Sequence, residues 1–389
     1  MRKTTPGARH LPSLGALLAF GLCACAVGRP EPAAPAARPH SGGEPTAGLE
    51  LELGSRRNAR VAVATQGGTR QLTFLAGELD PAELAELERA APNVRVVGGL
   101  SRQEALARAG EADGVDARLL TPEFLAAAPN LTWVQAMSAG VDRYVAMPGL
   151  AERPQVVLSN LRGVHGPAIA DHVFGMLLEL TRELRFHAGN QARGAWVREG
   201  SGRRPVALQG RTLLVVGLGG IGTEVARRGK GFGMEVLATR RTEAPRPEFV
   251  DRVGRPEELL ALLPEADVVV IAVPLTAETE GLFGRAAFAA MKPGSWLVNI
   301  ARGRVVETPA LLEALDTGRL AGACLDVTDP EPLPPGHPLW ALSNVVITPH
   351  VASDAELTDE RSRRLLRENL RRFGAGEPLL NVVDLRAGY

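Results

Sequence analysis

Beyond residue 57 the chain alternates short apolar runs with stretches in which apolar residues recur every three or four positions. Such runs predict buried strands, and such stretches predict amphipathic helices. In the first half, the predicted strands are Arg60–Thr65, Val94–Val97, Thr132–Ala136 and Gln155–Ser159, and the predicted helices are Pro81–Ala91, Ser101–Ala109 (capped by Ser101) and Pro122–Ala128. This alternation predicts a parallel sheet with helices on both faces.

A long helix is predicted over Pro167–His187, because its apolar residues form one broad face. Six further strands are then predicted at Leu213–Val216, Glu235–Thr239, Val268–Val273, Ser295–Ile300, Gly322–Val327 and Val345–Thr348. An amphipathic helix over Asp354–Phe373, ended by Gly374, and an extended Leu379–Asp384 are expected to return to the first unit. The fold class is therefore α/β, with two doubly wound parallel-sheet domains: residues 58–161 with 354–389, and residues 162–353.

The N-terminus has a different character. A positively charged start precedes Leu11–Leu22, an apolar run too short to cross a bilayer but of the length of a signal-peptide core. The sequence Leu22-Cys23-Ala24-Cys25 at its end resembles a bacterial lipoprotein signal, in which Cys25 is lipidated. We therefore expect a signal peptide over residues 1–25, a flexible Pro/Ala-rich tether over residues 26–57, and a lipid-anchored protein of the cell envelope. The alternative is a leader that is never processed, or a start placed too far upstream, on a cytoplasmic protein.

Composition narrows the function classes. The chain has 389 residues, 44 basic and 44 acidic side chains and a formal net charge of zero. Because binding to nucleic acid requires a surplus of cations, nucleic acid is not expected as the main partner. Two of the three cysteines lie in the leader, so the body of the protein has no disulfide framework.

A glycine-rich turn follows the predicted strand Thr212–Val216 directly and precedes a predicted helix over Thr223–Lys230. In Gly-x-Gly-x-x-Gly, the first glycine allows a tight turn, the second lets a diphosphate approach the backbone, and the third lets helix and strand pack closely. The start of the helix then attracts phosphate charge. The sequence therefore predicts a dinucleotide site at Gly217, Gly219, Gly220, Ile221 and Gly222.

The end of the next strand indicates which dinucleotide binds. An acidic residue there would accept hydrogen bonds from the adenosine ribose and select NAD. This chain has Arg240 and Arg241 instead, with Thr239 and Thr242 beside them. Guanidinium groups suit phosphate oxygens, so the sequence favours NADP. The alternative is that the two arginines stay solvated and NAD binds without an acidic partner.

Three polar residues follow later strands, where the carboxyl ends of a parallel sheet meet. Together, Arg302, Glu331 and His350 suit hydride reduction of a 2-oxo acid. Arg302 would hold the substrate carboxylate, His350 would donate a proton to the carbonyl oxygen, and Glu331 would fix the tautomer of His350. Taken singly, each of these residues is more commonly an ordinary surface group.

Several ordered motifs carry a family resemblance. They are Ser138–Asp142, Val216–Gly222, Val273–Thr276, Met291–Gly294, Ala301–Gly303, Asp326–Pro332 and Thr348–His350. Between Val61 and Asp384 the sequence resembles the D-isomer-specific 2-hydroxyacid dehydrogenase family, whose members have a Rossmann-type coenzyme domain and a flavodoxin-like substrate domain.

The resemblance implies roles for particular residues. Arg302, Glu331 and His350 match the catalytic positions, and Ala139 and Gly140 lie in a loop expected to contact the substrate. The coenzyme contacts implied are Ala301, Asp326 at the nicotinamide carboxamide, and Pro274 on the adenine side. The resemblance also implies a homodimer. Arg240 at the usual acidic position is similar to the NADP-using glyoxylate and hydroxypyruvate reductase branch.

Two departures leave alternatives open. The stretch Asp116-Ala117-Arg118 does not match the family's substrate loop, so the identity of the 2-oxo acid stays open. The leader is foreign to a family that normally works in the cytosol. A nucleotide-binding module at the envelope without turnover, or an enzyme that oxidises another small anion such as phosphite, are the alternative hypotheses.

Overall fold

The computed structural model describes residues 70–388, which contain two parallel β-sheets. The first sheet consists of β1 (Leu72–Leu75), β2 (Val94–Val97), β3 (Gly114–Asp116), β4 (Trp133–Gln135) and β5 (Val157–Ser159). Its strand order is β2-β1-β3-β4-β5, and every neighbouring pair is parallel. This is the doubly wound order of flavodoxin-like domains.

The second sheet is larger. It consists of β6 (Thr212–Val216), β7 (Glu235–Thr239), β8 (Arg252–Gly254), β9 (Val268–Ile271), β10 (Ser295–Asn299), β11 (Leu320–Leu325) and β12 (Val345–Ile347). The order β12-β11-β10-β9-β6-β7-β8 reverses direction between β6 and β9. In such sheets, ligands bind in the crevice at the carboxyl ends of the two strands where the order reverses. The two sheets confirm the predicted fold class.

Eleven α-helices within residues 70–388 connect and cover the sheets. They are α1 (Pro81–Ala90), α2 (Arg102–Ala107), α3 (Pro122–Ala127), α4 (Asp142–Val145), α5 (Gly166–Thr181), α6 (Leu184–Ala192), α7 (Gly220–Gly231), α8 (Leu259–Leu262), α9 (Arg285–Ala290), α10 (Thr308–Asp316) and α11 (Glu356–Ala375). Ser101 caps α2 as predicted: its hydroxyl accepts from the Glu104 amide, and the Glu104 carboxylate accepts from the Ser101 amide. In this part of the chain, none of the helices has the length and apolar character needed to span a bilayer.

Apolar side chains fill both faces of both sheets. The C-terminal helix α11 packs on the first sheet, where its Leu366, Leu370 and Phe373 are buried. The Trp133 ring lies between two phenylalanines, with centroids 4.9 Å from Phe74 and 5.0 Å from Phe373. These contacts join the last helix of the chain to β1 and β4.

Three of the strands were not predicted from the sequence. The predicted strand Arg60–Thr65 lies outside the described residues, and the first described strand is β1. The strands β3 and β8 have three residues each and contain only one bulky apolar residue, Val115 and Val253 respectively, so no apolar run marks them.

The prediction of one long helix over Pro167–His187 is wrong, because the helix breaks between α5 and α6. Glu183 has a left-handed backbone with φ of +56°. Its carboxylate is turned inward and accepts a hydrogen bond from the Ser201 hydroxyl. Leu184, the first residue of α6, and Trp196, in the loop that follows α6, are both exposed.

The predicted helix end at Gly374 is also wrong. The helix α11 continues to Ala375, and Gly376 ends it with φ of +66°. Gly374 is needed for packing instead, since a Cβ there would lie 2.4 Å from the Asn93 side-chain oxygen.

Candidate active site

The three glycines after β6 each meet the steric demand expected of them. Gly217 has φ of +102°, and a Cβ there would lie 2.7 Å from the Ala272 carbonyl oxygen. At Gly222 a Cβ would lie 2.1 Å from the Gly217 carbonyl oxygen, so helix and strand approach closely only without a side chain. At Gly219 a Cβ would meet no other part of residues 70–388 within 4 Å. The open space beside Gly219 is what a bound diphosphate requires.

The helix after this turn begins earlier than predicted, at Gly220 rather than Thr223. Its free amide groups therefore lie at the turn itself, where they can bind phosphate. Gly220 also packs against Gly163, since a Cβ on it would lie 3.1 Å from the Gly163 Cα. The turn thus forms one wall of a groove, and the loop that contains Gly163 forms another.

This coenzyme groove has a volume of about 480 Å³. It runs from Ala139 and Ile221 past the glycine turn to the end of β7. Pro274 lines it, as does each of the residues Thr239, Arg240, Arg241 and Thr242. The groove therefore has the glycine turn at its centre and the polar residues at the end of β7 that a dinucleotide site needs.

At the far end of the groove, the two predicted arginines differ in their surroundings. The half-buried Arg240 donates to the Ala244 and Pro245 carbonyl oxygens, whereas Arg241 is exposed. Arg255, which was not predicted from the sequence, donates to the Arg241 carbonyl oxygen at 3.0 Å and holds that loop. The Thr239 hydroxyl accepts from the Gly217 amide at 3.2 Å, so it supports the glycine turn.

Arg302 follows β10 on a turn that the buried Asn299 builds. The Asn299 amide group donates to the Arg302 carbonyl oxygen at 3.0 Å, and its side-chain oxygen accepts from the Ala301 amide at 3.0 Å. The Arg302 guanidinium donates to the Ala301 carbonyl oxygen at 2.8 Å and pairs with Asp142, with Nη2 to Oδ1 at 3.1 Å. Asp142 is the first residue of α4, which lies between β4 and β5 of the first sheet, whereas Arg302 follows β10 of the second sheet. The ion pair therefore joins one wall of the cleft to the other.

His350 follows β12 with a left-handed backbone, at φ of +60°. Its Nδ1 lies 2.7 Å from Oε1 of Glu331, and both side chains are half exposed. Since Glu331 holds Nδ1, the other ring nitrogen, Nε2, is left for a ligand.

A buried carboxylate shapes the turn that contains His350. Asp326 accepts from the Thr348 hydroxyl at 2.6 Å and from the Val351 and Ala352 amides at 3.0 and 3.1 Å. His172 lies 2.9 Å from the same Thr348 hydroxyl and extends the network to α5. Neither Thr348 nor His172 was given a role from the sequence, since the partners in this network are far apart in the chain.

Arg302 and His350 line one cavity of about 220 Å³. Ala139, Gly140, Ala301 and Asp326 also line it, as does Gly388 near the C-terminus. The cavity and the coenzyme groove share five lining residues, namely Ala139, Ile221, Ala272, Val273 and Pro274. A small substrate in the cavity would therefore meet one end of a dinucleotide in the groove.

A family model described as D-isomer specific 2-hydroxyacid dehydrogenase, NAD binding domain, matches residues 174–352. The glyoxylate reductase of Aeropyrum pernix is 36% identical over 289 residues, which cover 72% of this chain and 85% of that protein. The chain belongs to the D-isomer-specific 2-hydroxyacid dehydrogenase family. It is thus an NAD(P)-dependent oxidoreductase that acts on D-2-hydroxy acids or their 2-oxo counterparts.

Solved structures of this dehydrogenase family are similar throughout their length. A family member from Aeromonas salmonicida has 36% identity and a TM-score of 0.70, over 81% of this chain and 99% of that one. An NADPH-dependent glyoxylate/hydroxypyruvate reductase from Sinorhizobium meliloti, solved with NADP and sulfate, has 29% identity and a TM-score of 0.67. That similarity covers 82% of this chain and all of the other.

The structure brings most residues implied by the dehydrogenase resemblance to this cleft. Glu331 lies behind His350, outside the cavity lining, which suits a supporting position. Arg118, in the stretch that the resemblance did not match, pairs with Asp116 at 2.5 Å and lines neither cavity. Cys25, the predicted lipidation position, lies outside the described residues.

Proposed function

We propose that this protein is an NADPH-preferring reductase that converts a small 2-oxo acid of the glyoxylate or hydroxypyruvate type to the D-2-hydroxy acid. One observation carries the proposal. A cavity with a guanidinium and a carboxylate-supported imidazole opens into a dinucleotide-sized groove that ends in two arginines. We assign residues 58–161 and 354–389 to the substrate domain and residues 162–353 to the coenzyme domain.

In this proposal Arg302 binds the substrate carboxylate. Its guanidinium can donate two parallel hydrogen bonds to a carboxylate, which fixes the orientation of the acid. Asp142 and the Ala301 carbonyl hold the guanidinium at the cavity wall before substrate arrives. The Arg302 guanidinium would then donate to both the substrate carboxylate and the Asp142 carboxylate.

His350 supplies the proton. When protonated, its Nε2 donates a hydrogen bond to the substrate carbonyl oxygen and transfers the proton as that oxygen becomes negative. The Glu331 carboxylate at Nδ1 orients the ring and leaves Nε2 for the substrate. In the reverse direction, neutral His350 accepts the proton of the 2-hydroxy acid.

The groove residues fit a nicotinamide dinucleotide. The open backbone at Gly219 and the start of α7 would hold the diphosphate, and Pro274, which lines both the groove and the substrate cavity, would contact the bound dinucleotide. Ala301 and Asp326 lie toward the cavity, where the carboxamide contact is proposed. When bound, the reduced coenzyme supplies the hydride that reaches the carbonyl carbon.

The preference for NADP rests on Arg240 and Arg241, with Thr242 beside them. A phosphate on the adenosine ribose would replace the carbonyl oxygens that the Arg240 guanidinium now contacts. The NADP-bound reductase of Sinorhizobium meliloti, with the same overall fold, supports this assignment.

The deciding experiment is a steady-state assay of the purified protein with NADPH or NADH against glyoxylate, hydroxypyruvate and pyruvate. We expect turnover with NADPH and a product of D configuration where the product is chiral. Tight NADPH binding without turnover of any 2-oxo acid would contradict the proposal and favour a binding module.

A paired variant tests the coenzyme assignment. Replacing Arg240 and Arg241 by Ala should lower kcat/KM for NADPH by about 10- to 100-fold, since hydrogen bonds to charged groups are lost. The value for NADH should change little. Arg285→Ala, in an exposed ion pair with Glu313, is the matched control. An unchanged NADPH/NADH ratio in the paired variant would contradict the assignment.

We further propose that the protein forms a homodimer through the segment around α6. Trp196 is 95% exposed and Leu184 is 50% exposed, which is unusual for large apolar side chains. Light scattering should give twice the mass of one chain, and Leu184→Ser with Trp196→Ser should shift the mass toward the monomer. A monomeric wild-type protein would contradict this proposal.

A further inference from the structure

The turn that contains His350 has a backbone conformation that residues with a side chain adopt reluctantly. His350 has φ of +60°, in the left-handed region, where a Cβ crowds the following carbonyl oxygen. Such a conformation persists only where the surrounding structure holds it. Here Asp326 does so, since its carbonyl oxygen accepts from the His350 amide at 2.8 Å and its carboxylate accepts from the Val351 and Ala352 amides. The position of the imidazole therefore depends on the position of Asp326.

The Asp326 carboxylate is in turn held by the Thr348 hydroxyl. Asp326 is buried, so its carboxylate needs hydrogen-bond donors. The Thr348 hydroxyl lies 2.6 Å from Oδ1, a length typical of a strong bond from a hydroxyl to a charged oxygen. The sulfur of Met176, 3.7 Å from the same hydroxyl, is a much weaker acceptor. The single proton of Thr348 is therefore donated to Asp326.

This assignment determines the role of the His172 ring. A hydroxyl has one proton to donate and can otherwise only accept. Because the Thr348 proton is donated to Asp326, Nε2 of His172, which lies 2.9 Å from Thr348 Oγ1, must carry a hydrogen and donate it. The same Nε2 lies 3.7 Å from Oδ1 of Asp326. His172 thus donates to the hydroxyl that donates to the carboxylate.

The backbone at His172 is held in place by its helix. His172 lies within α5, and the next two residues, Val173 and Phe174, are buried in the apolar core on one face of the second sheet. A hydrogen-bonded chain of three side chains therefore runs from a packed helix to the turn of His350. Neither His172 nor Thr348 is among the described residues that line the substrate cavity or the coenzyme groove. An effect of His172 on the reaction would therefore pass through this chain.

We propose that His172 is a positioning residue for proton transfer by His350. The inference rests on the proposed function, in which His350 gives its proton to the substrate carbonyl oxygen. The N–H of His172 holds the Thr348 hydroxyl, that hydroxyl holds the Asp326 carboxylate, and the carboxylate holds the turn. Without this N–H the chain ends at Thr348, and the His350 ring is less firmly directed at the substrate.

The test measures NADPH oxidation in a single turnover, with whichever 2-oxo acid the wild-type protein reduces fastest. His172→Phe keeps a ring but removes the N–H. At saturating acid its rate should fall by about 10-fold or more, because a small displacement of a reacting group has a large effect. The Kd values of the acid and of NADPH should change by less than about threefold, since Arg302 and the glycine turn lie outside the chain of hydrogen bonds.

A conservative variant separates positioning from a purely structural role. His172→Gln has an N–H donor at about the position of Nε2 and should recover the rate to within about threefold of the wild-type value. Thr348→Val removes the hydroxyl at the other end of the same hydrogen bond, so it should lower the rate like His172→Phe. The two variants test the inference independently, and Tm measurements show whether each is folded.

A double-variant cycle tests whether the two side chains act through one chain of hydrogen bonds. His172→Phe with Thr348→Val should lose no more than about threefold beyond the larger single loss, because either change alone already breaks the chain. Thr317→Val is the matched control, since its exposed hydroxyl donates to the Glu313 carbonyl oxygen at 2.7 Å, after α10. Combined with His172→Phe, it should leave the rate of the single variant unchanged.

The outcomes separate this inference from the proposed function. Wild-type turnover with an unchanged rate in His172→Phe or Thr348→Val would overturn the His172 inference and leave the proposed function standing. Single losses that multiply in the double variant would also overturn it, as would a His172→Gln protein no faster than His172→Phe. A wild-type protein inactive on every 2-oxo acid would overturn the proposed function and this inference with it.

Discussion

The Arg302 guanidinium lies where a side chain on residue 140 would begin. A Cβ built on Gly140 would be 1.6 Å from Nη2 of Arg302 and 2.7 Å from its central carbon. No rotation of a methyl group could relieve this overlap, so either the guanidinium or the loop would have to move. The residue at position 140 thus sets where the proposed carboxylate anchor can lie.

We expect Gly140→Ala to lower kcat/KM for a 2-oxo acid by about 100-fold, because a displacement of about 1 Å in a positioning group can have an effect of this size. The coenzyme affinity should change little, since the groove wall at the glycine turn is untouched.

Gly175→Ala is the matched control for this prediction. A Cβ at Gly175, within α5, would meet none of the residues 70–388 within 4 Å outside its own helix. Alanine at position 175 should preserve activity and raise the stability of α5 by up to about 1 kcal/mol. A Gly140→Ala protein as active as this control would show that Arg302 does not need its present position.

At the same scale, the sequence indicated the chemical groups of the site but not their partners. Arg302 and His350 could be identified because each follows an apolar strand, where ligand chemistry is expected. Asp142 and His172 gave no such signal. Their partners Arg302 and Thr348 are 160 and 176 residues further along the chain, so only the folded backbone brings them together.

The turn between β6 and α7 contains glycines that are needed for two different reasons. At Gly222 the missing side chain is a condition of folding, because the Gly217 carbonyl oxygen occupies its place. At Gly219 the same space is open, so a side chain there would be tolerated by the protein but not by a diphosphate.

Two alanine variants should therefore behave differently when the Tm is measured with and without NADPH. Gly219→Ala should have the Tm of the wild-type protein without coenzyme, but should gain less from NADPH, since its Kd rises by about 10-fold or more. Gly222→Ala should already have a lower Tm without coenzyme, because helix and strand must move apart. Equal NADPH stabilisation of Gly219→Ala and the wild-type protein would place the diphosphate elsewhere.

Most elements of the described chain could be predicted from apolar patterns, and their predicted limits differ from the observed limits by at most three residues. The exceptions have physical causes. The strand β8 has one fully buried residue, so its pattern is weak. Gly374 has the sequence signature of a helix stop but serves a close contact with Asn93, which no local pattern reveals. The helix breaks at Glu183 although residues 181–185 include neither glycine nor proline.

At the scale of the whole molecule, the proposed location depends on one thiol in the leader. Acyl chains on Cys25 would bind a membrane by about 0.8 kcal/mol per buried CH₂ group, and two chains suffice for stable anchoring. In a bacterial host that processes lipoproteins, we expect the wild-type protein in the membrane fraction and Cys25→Ser in the soluble fraction.

Cys23→Ser is the control for the leader, because it changes a neighbouring thiol and keeps Cys25. It should stay with the membrane like the wild-type protein. Membrane association of Cys25→Ser would contradict lipidation at this position, and a soluble wild-type protein would favour the cytoplasmic alternative.

The two sides of the substrate cavity are also joined by the end of the chain. The Val383 amide donates to the Leu158 carbonyl oxygen at 2.8 Å, which ties the tail to the first sheet. The Asp384 carboxylate then accepts from the Arg386 and Ala387 amides at 2.9 and 3.1 Å and forms a turn. Gly388 reaches the cavity wall beside Thr276 of the coenzyme side. The tail therefore closes part of the cavity that Arg302 and His350 share.

Deleting residues 386–389 should open that wall and raise the KM for a 2-oxo acid by about threefold or more, because closure of a site excludes water and retains the substrate. Asp384→Ala should also raise the KM, since the turn loses the two hydrogen bonds that the Asp384 carboxylate accepts. Arg386→Ala is the control, because it keeps the backbone amide that donates to Asp384. The Tm should stay close to that of the wild-type protein, because the hydrogen bond between Val383 and Leu158 lies before the changed residues in the chain and is kept. A KM that is the same in all four proteins would mean that the tail covers the cavity without contributing to substrate binding.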